Sequence, residues 1–274
     1  MRLGVHARDG VVVVDEAGQG HTPARALDPD AGDIAHLLTH ADARARLAAA
    51  SRGDMRSPLD PRDLLAFPAR RVFAVGLNYA SHAAETGRAA PDVPVVFAKL
   101  GGTGRPRGEV RARAVSGTLD YEAEVGVVVG ATLDEADEAE AKAAIAGYLV
   151  ANDLTLRDHA RPPTLTLAKA VPNGAALGPW VLTADAVPDW RALRVRSSVN
   201  GEPRQDACLA EMIHAPAAVL AYASRFTTLV PGDVLLTGSP AGSGAGFEPP
   251  RWLRPGDVVR CEADGLGAVE TRVV

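Results

Sequence analysis

The chain has 274 residues, of which 47% are hydrophobic, 23% charged and 4% aromatic, and its net charge is −5. These values exclude a disordered, collagen-like or disulfide-rich chain, and the slightly acidic balance gives no reason to expect a nucleic acid as partner. Cys208 and Cys261 are too few for a disulfide scaffold, so we expect both to be free and reduced. The N-terminus lacks the apolar core of a signal peptide, and the longest apolar runs of the chain fall far short of the roughly 20 residues that span a bilayer. We therefore expect a soluble cytoplasmic protein with no membrane partner.

The first 67 residues are predicted to form a small N-terminal α/β domain that leads into a catalytic domain at 68–274. An Asp-Gly turn at 9–10 precedes a strand at 11–14. Residues 33–50 carry apolar side chains at the 3.6-residue period of a helix.

From residue 72 onward, short runs rich in valine, leucine and isoleucine alternate with proline and glycine, which is typical of strands joined by turns. Helices are predicted at 134–146 and 215–226. The pair Asn200-Gly201 predicts a hairpin with a type I′ turn. We therefore predict an α+β, mostly-β fold, rolled or barrel-like. The predicted strands span residues 72–75, 93–97, 122–129, 181–183, 195–199, 234–237, 258–263 and 269–274.

Two glutamates, Glu122 and Glu124, stand at the start of an apolar run that ends at residue 129. Side chains two apart on a strand share a face at roughly 6.5 to 7 Å. Two carboxylates that enter an interior together are costly unless a positive charge lies between them, and a divalent cation would supply it. The alternative is that both face solvent at the end of the strand.

Asp153 ends a second apolar stretch, at 147–150, and adds a third carboxylate. With no cysteine or histidine close by in sequence, the three acids would form an oxygen-only donor set. Hard cations prefer such a set, so Mg²⁺ is the first expectation, Mn²⁺ or Ca²⁺ the next, and Zn²⁺ is disfavoured.

A third pattern, at 76–85, places His82 and Glu85 three residues apart, where they are neighbours on a helical turn. A carboxylate in that position can orient the imidazole and stabilise its charged form, which suits a general base. An ordinary surface pair is the alternative.

Lysine is scarce: the 29 basic residues include only three lysines, so a plain positive charge is usually supplied by arginine. Lys99 ends a predicted strand, Lys169 lies in an unusually apolar setting, and Lys142 lies on a charged helix. Two further candidates are Arg157, four residues after Asp153, and Thr237, in a Gly/Ser-rich loop that could hold an anionic oxygen.

In this order the motifs resemble the fumarylacetoacetate hydrolase family over roughly residues 70–274. The matching stretches are Gly-Leu-Asn-Tyr-x-x-His-x-x-Glu at 76–85, Pro-Val-Val-Phe-Ala-Lys at 94–99, Asp-Tyr-Glu-Ala-Glu at 120–124, Gly-Tyr-Leu-Val-Ala-Asn-Asp at 147–153, Leu-Gly-Pro-Trp at 177–180, and those at 199–205, 229–242 and 253–259.

The resemblance implies a mixed β-roll that follows a smaller N-terminal domain. It also implies a homodimer, since family members frequently form one, and a small-molecule oxo-acid or β-dicarbonyl substrate. It implies a divalent metal held by Glu122, Glu124 and Asp153, and a His82–Glu85 dyad that activates water. The remaining implied roles are stabilisation of developing negative charge by Lys169, substrate binding by Arg157 and Thr237, and positions near the substrate for Lys99 and Tyr79.

The chain departs from the family pattern around the substrate. No glutamine follows Arg157 closely, Ala170-Val171-Pro172 replaces the usual Ser/Gly-Phe-Asp, and Ser239 replaces a threonine. We expect a metal-dependent hydrolase that cleaves a C–C bond in a 1,3-dicarbonyl or acylpyruvate-type substrate. The alternatives are a decarboxylase or keto–enol isomerase of an oxaloacetate-like acid, a specialised biosynthetic enzyme for a larger β-dicarbonyl, and a non-catalytic metal-binding homologue.

Overall fold

A computed structural model of the chain describes residues 1–27, 33–50, 57–161 and 164–274. The strands are β1 (Arg2–His6), β2 (Gly10–Val14), β3 (Gly20–Pro23), β4 (Ser57–Pro58), β5 (Val72–Gly76), β6 (Val95–Ala98), β7 (Thr103–Gly104), β8 (Arg107–Val110), β9 (Leu119–Asp120), β10 (Ala123–Val129), β11 (Ile145–Asp153), β12 (Thr155–Leu156), β13 (Ala175–Thr183), β14 (Arg194–Val199), β15 (Glu202–Cys208), β16 (Val234–Leu236), β17 (Val258–Ala263) and β18 (Gly267–Val273).

Helices are few and short, as expected of a mostly-β chain. They are α1 (Ala24–Leu27), α2 (Ile34–Thr39), α3 (Ala41–Ala50), α4 (Ala80–Glu85), α5 (Glu138–Ala143), α6 (Leu165–Ala168) and α7 (Pro216–Ser224), with 3₁₀ turns at Pro61–Asp63, Arg157–His159, Ala184–Ala186, Trp190–Ala192, Leu209–Glu211 and Gly244–Gly246. No helix in the described ranges is long and apolar enough to cross a membrane.

The strands form two main sheets. The larger has the order β4-β3-β2-β1-β13-β11-β10-β16-β5-β6, with β7 beside β13, and the smaller has the order β15-β14-β17-β18-β8. Among the described strands, the two ends of the larger sheet, β4 and β6, do not pair with each other. The mixed, mostly-β prediction is confirmed, but the barrel-like closure is not found.

The register of β10 against β11 places the acidic residues of the two strands together. The strands are antiparallel, with Ala123 opposite Asn152 and Glu124 opposite Ala151. The start of one strand therefore lies beside the end of the other, and the Asp153 amide donates a 2.8 Å hydrogen bond to the Glu122 carbonyl.

Both faces of β10 are covered, which explains its unbroken apolar sequence. Val125 and Val127 pack into a core shared with the smaller sheet and α7. Val128 points to the other face and packs into a second core that α2 and α3 help to form. Glu124, four residues before Val128, lies on that second face, because side chains alternate along a strand.

The N-terminal strands extend the larger sheet, since β1 pairs antiparallel with β13. The helix predicted at 33–50 is two helices, α2 and α3. The guanidinium of Arg44 donates hydrogen bonds to the carbonyls of Leu37 and Leu38, which a continuous helix would have used itself. The domain boundary at residue 67 stays a prediction.

Other boundaries also differ from the sequence pattern. The predicted helix at 134–146 is the shorter α5, because the Asp137 side chain caps it with a reciprocal bond from Glu140. The Asn200-Gly201 hairpin is confirmed: φ is 51° and 82° at the two residues, between β14 and β15. Cys208 and Cys261 are both free.

Candidate active site

Three carboxylates meet where β10 begins and β11 ends. Glu122, Glu124 and Asp153 each offer one ligand atom, and these atoms all lie within 4.8 Å of one another. All three side chains are buried, so the alternative in which the glutamates face solvent is wrong. The structure thus brings the three predicted ligands together.

Cationic side chains surround two of the carboxylates. Lys169 Nζ contacts Glu122 Oε2 and lies 2.9 Å from Asp153 Oδ2, whereas Lys99 Nζ lies 2.5 Å from Asp153 Oδ1. Burial by itself would raise the pKa of Glu122, but Arg157, Lys169 and His82 together hold it below its usual value. Glu122 is therefore ionised at neutral pH.

Glu124 differs from the other two carboxylates because no cationic side chain of the described ranges pairs with it. Its Oε2 accepts a 2.6 Å hydrogen bond from the Gly238 amide, but within the described ranges no ion pair to it is formed. Burial, reinforced by the charges of Asp153 and Glu122, raises the pKa of Glu124 well above its usual value. A divalent cation among these oxygens would remove that penalty, so the residues present fit a hard metal ion.

The predicted dyad forms on α4 and faces the carboxylates. His82 Nδ1 lies 3.0 Å from Glu85 Oε2, and Glu85 Oε1 accepts a 2.7 Å hydrogen bond from the Gly242 amide. Glu85 holds the ring through Nδ1, and the other ring nitrogen, Nε2, lies 3.7 Å from Glu122 Oε1. His82 is only 4% exposed, so this is not an ordinary surface pair.

Asp120 organises the guanidinium of Arg157, a role that the sequence analysis missed. Arg157 Nε donates to Asp120 Oδ2 and Nη2 donates to Glu122 Oε1, both at 2.7 Å. Asp120 also accepts hydrogen bonds from the amides of Gly244 and Ala245. The signal was its place at the head of the Asp-Tyr-Glu motif.

A cavity of about 400 Å³, near the small end of the usual range for ligand sites, is lined by several of these groups, namely His82, Glu85, Glu122, Glu124, Arg157 and Lys169. Arg88 and Phe97, which the sequence analysis did not assign, also line it. The Arg88 side chain is exposed and makes no described hydrogen bond or ion pair. Phe97 lies with its ring centroid 5.3 Å from Lys169 Nζ. A larger cleft of about 1330 Å³, beside β2, holds none of the predicted site residues.

The remaining predicted residues are buried around the site with their polar atoms turned to the protein. Thr237 Oγ1 donates to the Val125 carbonyl at 2.7 Å, and Lys99 Nζ donates to the Leu154 carbonyl at 3.0 Å. Tyr79 is 1% exposed and does not line the cavity, and its hydroxyl has no partner in the described part of the chain. Their substrate-binding roles stay predictions.

Known proteins resemble the chain along its whole length. Oxaloacetate tautomerase fahd2, mitochondrial, of Xenopus laevis is 31% identical over 281 residues, which cover 100% of this chain and 86% of that protein. The crystal structure of maleylpyruvate hydrolase from Sphingobium sp. SYK-6 matches with a TM-score of 0.80 at 27% identity, covering 100% and 99% of the two chains. The structure of 5-carboxymethyl-2-hydroxymuconate delta-isomerase from Mycobacterium smegmatis matches with a TM-score of 0.73 at 29% identity, covering 100% and 98%.

The neighbours thus include a tautomerase, a hydrolase and an isomerase, all of them enzymes that act on small molecules. The model of the fumarylacetoacetate (FAA) hydrolase C-terminal domain matches residues 71–274, which contain every predicted site residue. The resemblance inferred from the motifs is confirmed, and this chain belongs to the fumarylacetoacetate hydrolase family.

Proposed function

We propose that the protein is a metal-dependent hydrolase that cleaves a C–C bond in a 1,3-dicarbonyl or acylpyruvate-type substrate. The observation that carries the proposal is the position of His82 Nε2. This nitrogen lies 3.7 Å from Glu122 Oε1 at the small cavity that Glu122 and Glu124 line, and Glu85 holds the other nitrogen of the ring. A general base opposite a cation site is the arrangement that hydrolysis of a chelating substrate requires.

Glu122, Glu124 and Asp153 would hold the cation, with Mg²⁺ the first expectation and Mn²⁺ or Ca²⁺ the alternatives. The bound ion would act as a Lewis acid toward two substrate oxygens. His82 Nε2 removes a proton from water, and the hydroxide adds to the carbonyl carbon of the scissile bond. That bond then breaks, its electrons pass to the enolate of the leaving half, and the proton on His82 quenches that enolate.

Lys169 is placed to stabilise the negative charge that develops. Burial alone would lower the pKa of its amine, but Asp153 and Glu122 raise it above the usual value, so Lys169 stays charged. Its compact ammonium contacts Glu122 and Asp153 through one nitrogen, whereas the planar guanidinium of Arg157 uses separate nitrogens for Asp120 and Glu122. A preorganised charge in a buried site contributes more than the same charge in water.

The volume of the cavity and the two arginines that line it indicate the size and charge of the substrate. About 400 Å³ favours a short acid over a bulky biosynthetic substrate. Arg88 is available for a substrate carboxylate, and Arg157, which also lines the cavity, has one nitrogen, Nη1, that neither Asp120 nor Glu122 engages. We therefore propose a short dicarboxylic or acylpyruvate-type acid.

Keto–enol tautomerisation is the second candidate. The Xenopus relative that is similar over the whole chain is named an oxaloacetate tautomerase. Tautomerisation uses the same enolate and the same base, His82, but omits the attack of water. Decarboxylation of a β-oxo acid would share the enolate as well.

The test is turnover of acylpyruvates and oxaloacetate by the purified protein with Mg²⁺ or Mn²⁺ in H₂¹⁸O. Hydrolysis places one ¹⁸O in the new carboxylate, whereas tautomerisation yields the isomer without C–C cleavage. EDTA should abolish turnover, and His82→Gln should lower kcat by about 10² to 10⁴-fold with metal affinity unchanged. His159→Gln, at a partly exposed histidine that does not line the cavity, is the matched control.

Turnover that survives EDTA would contradict the metal-dependent reaction, and turnover that survives His82→Gln would contradict the role of this base. The homodimer implied by the resemblance is a separate proposal, which light scattering of the eluted protein checks.

A further inference from the structure

A second group of metal-binding side chains lies at the N-terminal end of the larger sheet, outside the carboxylate cluster. His6, Asp9 and His21 each offer one ligand atom, and these atoms lie within 4.8 Å of one another. The two histidines are buried, at 3% and 2% exposure, whereas the Asp9 side chain is 35% exposed. The two histidines are therefore held in the interior, while solvent can reach the group from the side of Asp9.

A single oxygen lies between the two imidazoles. Asp9 Oδ2 is 2.9 Å from His6 Nδ1 and 2.9 Å from His21 Nε2. The Asp9 amide nitrogen lies 3.2 Å from the same His6 Nδ1, so the main chain and the side chain of Asp9 both converge on this nitrogen.

The strands hold both rings in place independently of Asp9. His6 ends β1 opposite Gly10, and His21 lies on β3 opposite Val14. The ring centroids are 4.6 Å apart. Because register positions both rings, little conformational entropy is lost when a ligand binds them.

An outer carboxylate accompanies the group. Asp63 Oδ2 lies 3.7 Å from His6 Nε2, on the side of the ring that faces away from Asp9. Histidines that bind metals usually direct their second nitrogen to a carboxylate or carbonyl, which sets the tautomer and raises the basicity of the ligand nitrogen.

We propose that His6, Asp9 and His21 bind a divalent transition-metal ion. Two imidazole nitrogens and one carboxylate oxygen suit Zn²⁺, Fe²⁺, Co²⁺ or Cu²⁺ better than Mg²⁺ or Ca²⁺. Asp9 Oδ2 lies 2.9 Å from both nitrogens, and all three ligand atoms lie within 4.8 Å of one another, so one ion can contact all of them. The remaining coordination positions of the ion would face solvent on the Asp9 side.

The ion would connect the β1–β2 turn to β3. Since the unfolded chain does not hold the three ligands together, binding stabilises the folded state and raises the melting temperature. The site differs in chemistry from the oxygen-only cluster of Glu122, Glu124 and Asp153, and that difference makes it separately measurable.

The experiment uses the full chain after EDTA treatment, in a His82→Gln background that removes the histidine beside the carboxylate cluster. Cu²⁺ is the spectroscopic probe, because nitrogen couplings in its electron paramagnetic resonance spectrum report imidazole ligands, and Zn²⁺ binding is measured by calorimetry. The variants are Asp9→Asn and His21→Gln. His40→Gln is the matched control, since His36 and His40 form a second close histidine pair within the described residues, with ring centroids 4.1 Å apart.

We expect one Cu²⁺ with nitrogen couplings from two imidazoles, unchanged in His40→Gln and reduced to one in His21→Gln. Asp9→Asn should weaken Zn²⁺ binding at least about 10-fold; its partly exposed position keeps the test valid if His21→Gln does not fold. Nitrogen couplings or Zn²⁺ affinity that neither variant changes would overturn the proposal. So would the absence of any nitrogen-coupled Cu²⁺, which would leave a hydrogen-bonded His-Asp-His network.

Discussion

Gly246 lies so close to the carboxylate of Glu85 that a β-carbon built on the glycine would be 1.8 Å from Glu85 Oε1. The obstructed atoms belong to the end of a flexible side chain, so an added methyl group would displace Glu85 rather than the backbone. The contact therefore connects the 3₁₀ turn at Gly244–Gly246 to the orientation of His82.

Gly246→Ala should lower kcat by about 10²-fold, because His82 loses the carboxylate that sets its tautomer. Metal affinity should stay unchanged, since Glu122, Glu124 and Asp153 are untouched. Steady-state kinetics and calorimetric metal titration measure the two quantities. Gly117→Ala is the control, because no atom outside its chain neighbours lies within 4 Å of a β-carbon there. Equal kcat in the two variants would contradict the role of Glu85.

Asp120→Asn should lower the free energy of unfolding by about 3 kcal/mol, since it leaves the buried guanidinium of Arg157 with one carboxylate in place of two. Denaturant titration measures the change. The control is Asp158→Asn, at an exposed carboxylate on the same turn as Arg157, with an expected loss below about 1 kcal/mol. Similar losses in both variants would show that the Asp120–Arg157 pair contributes no more to stability than an exposed carboxylate does.

Arg88→Met should raise KM for a carboxylate substrate about 10 to 100-fold while kcat changes little, because a charge-assisted hydrogen bond to the substrate is lost in the ground state and transition state alike. Arg113→Met, at an exposed arginine outside the cavity, should leave KM unchanged. A fall in kcat with KM unchanged would instead place Arg88 in the chemical step.

Tyr79→Phe should raise the free energy of unfolding by about 1 kcal/mol, since it removes a buried hydroxyl that has no partner in the described ranges. Burial raises the pKa of Tyr79, so the phenol is neutral at every pH at which the enzyme would work. Thermal unfolding and KM are measured together. An unchanged stability with a raised KM would instead support the substrate-binding role that the resemblance implies.

Two of the three lysines in the chain lie at the candidate site. Lys99 and Lys169 both contact Asp153, whereas Lys142 lies exposed in the last turn of α5. A compact ammonium differs in shape and hydration from a planar guanidinium, so the two cations are not interchangeable beside a buried carboxylate. The amino-acid composition therefore pointed to two residues at the candidate site, because arginine supplies almost all of the other basic residues.

The sequence by itself determined the mostly-β class, the family, the candidate carboxylate ligands and the His82–Glu85 pair, because these depend on residue type and local spacing. Glu122, Glu124 and the His82–Glu85 pair were recognisable since two or three residues separate their members.

Tertiary structure alone decided which of these residues meet and what holds them. Asp153 reaches Glu122 through the register of β10 and β11, and Asp120 reaches Arg157 across 37 positions of the chain. His21 reaches His6 only because β1, β2 and β3 pair side by side. Such contacts depend on strand register and on buried charges that compensate one another over long separations, and no local pattern encodes either.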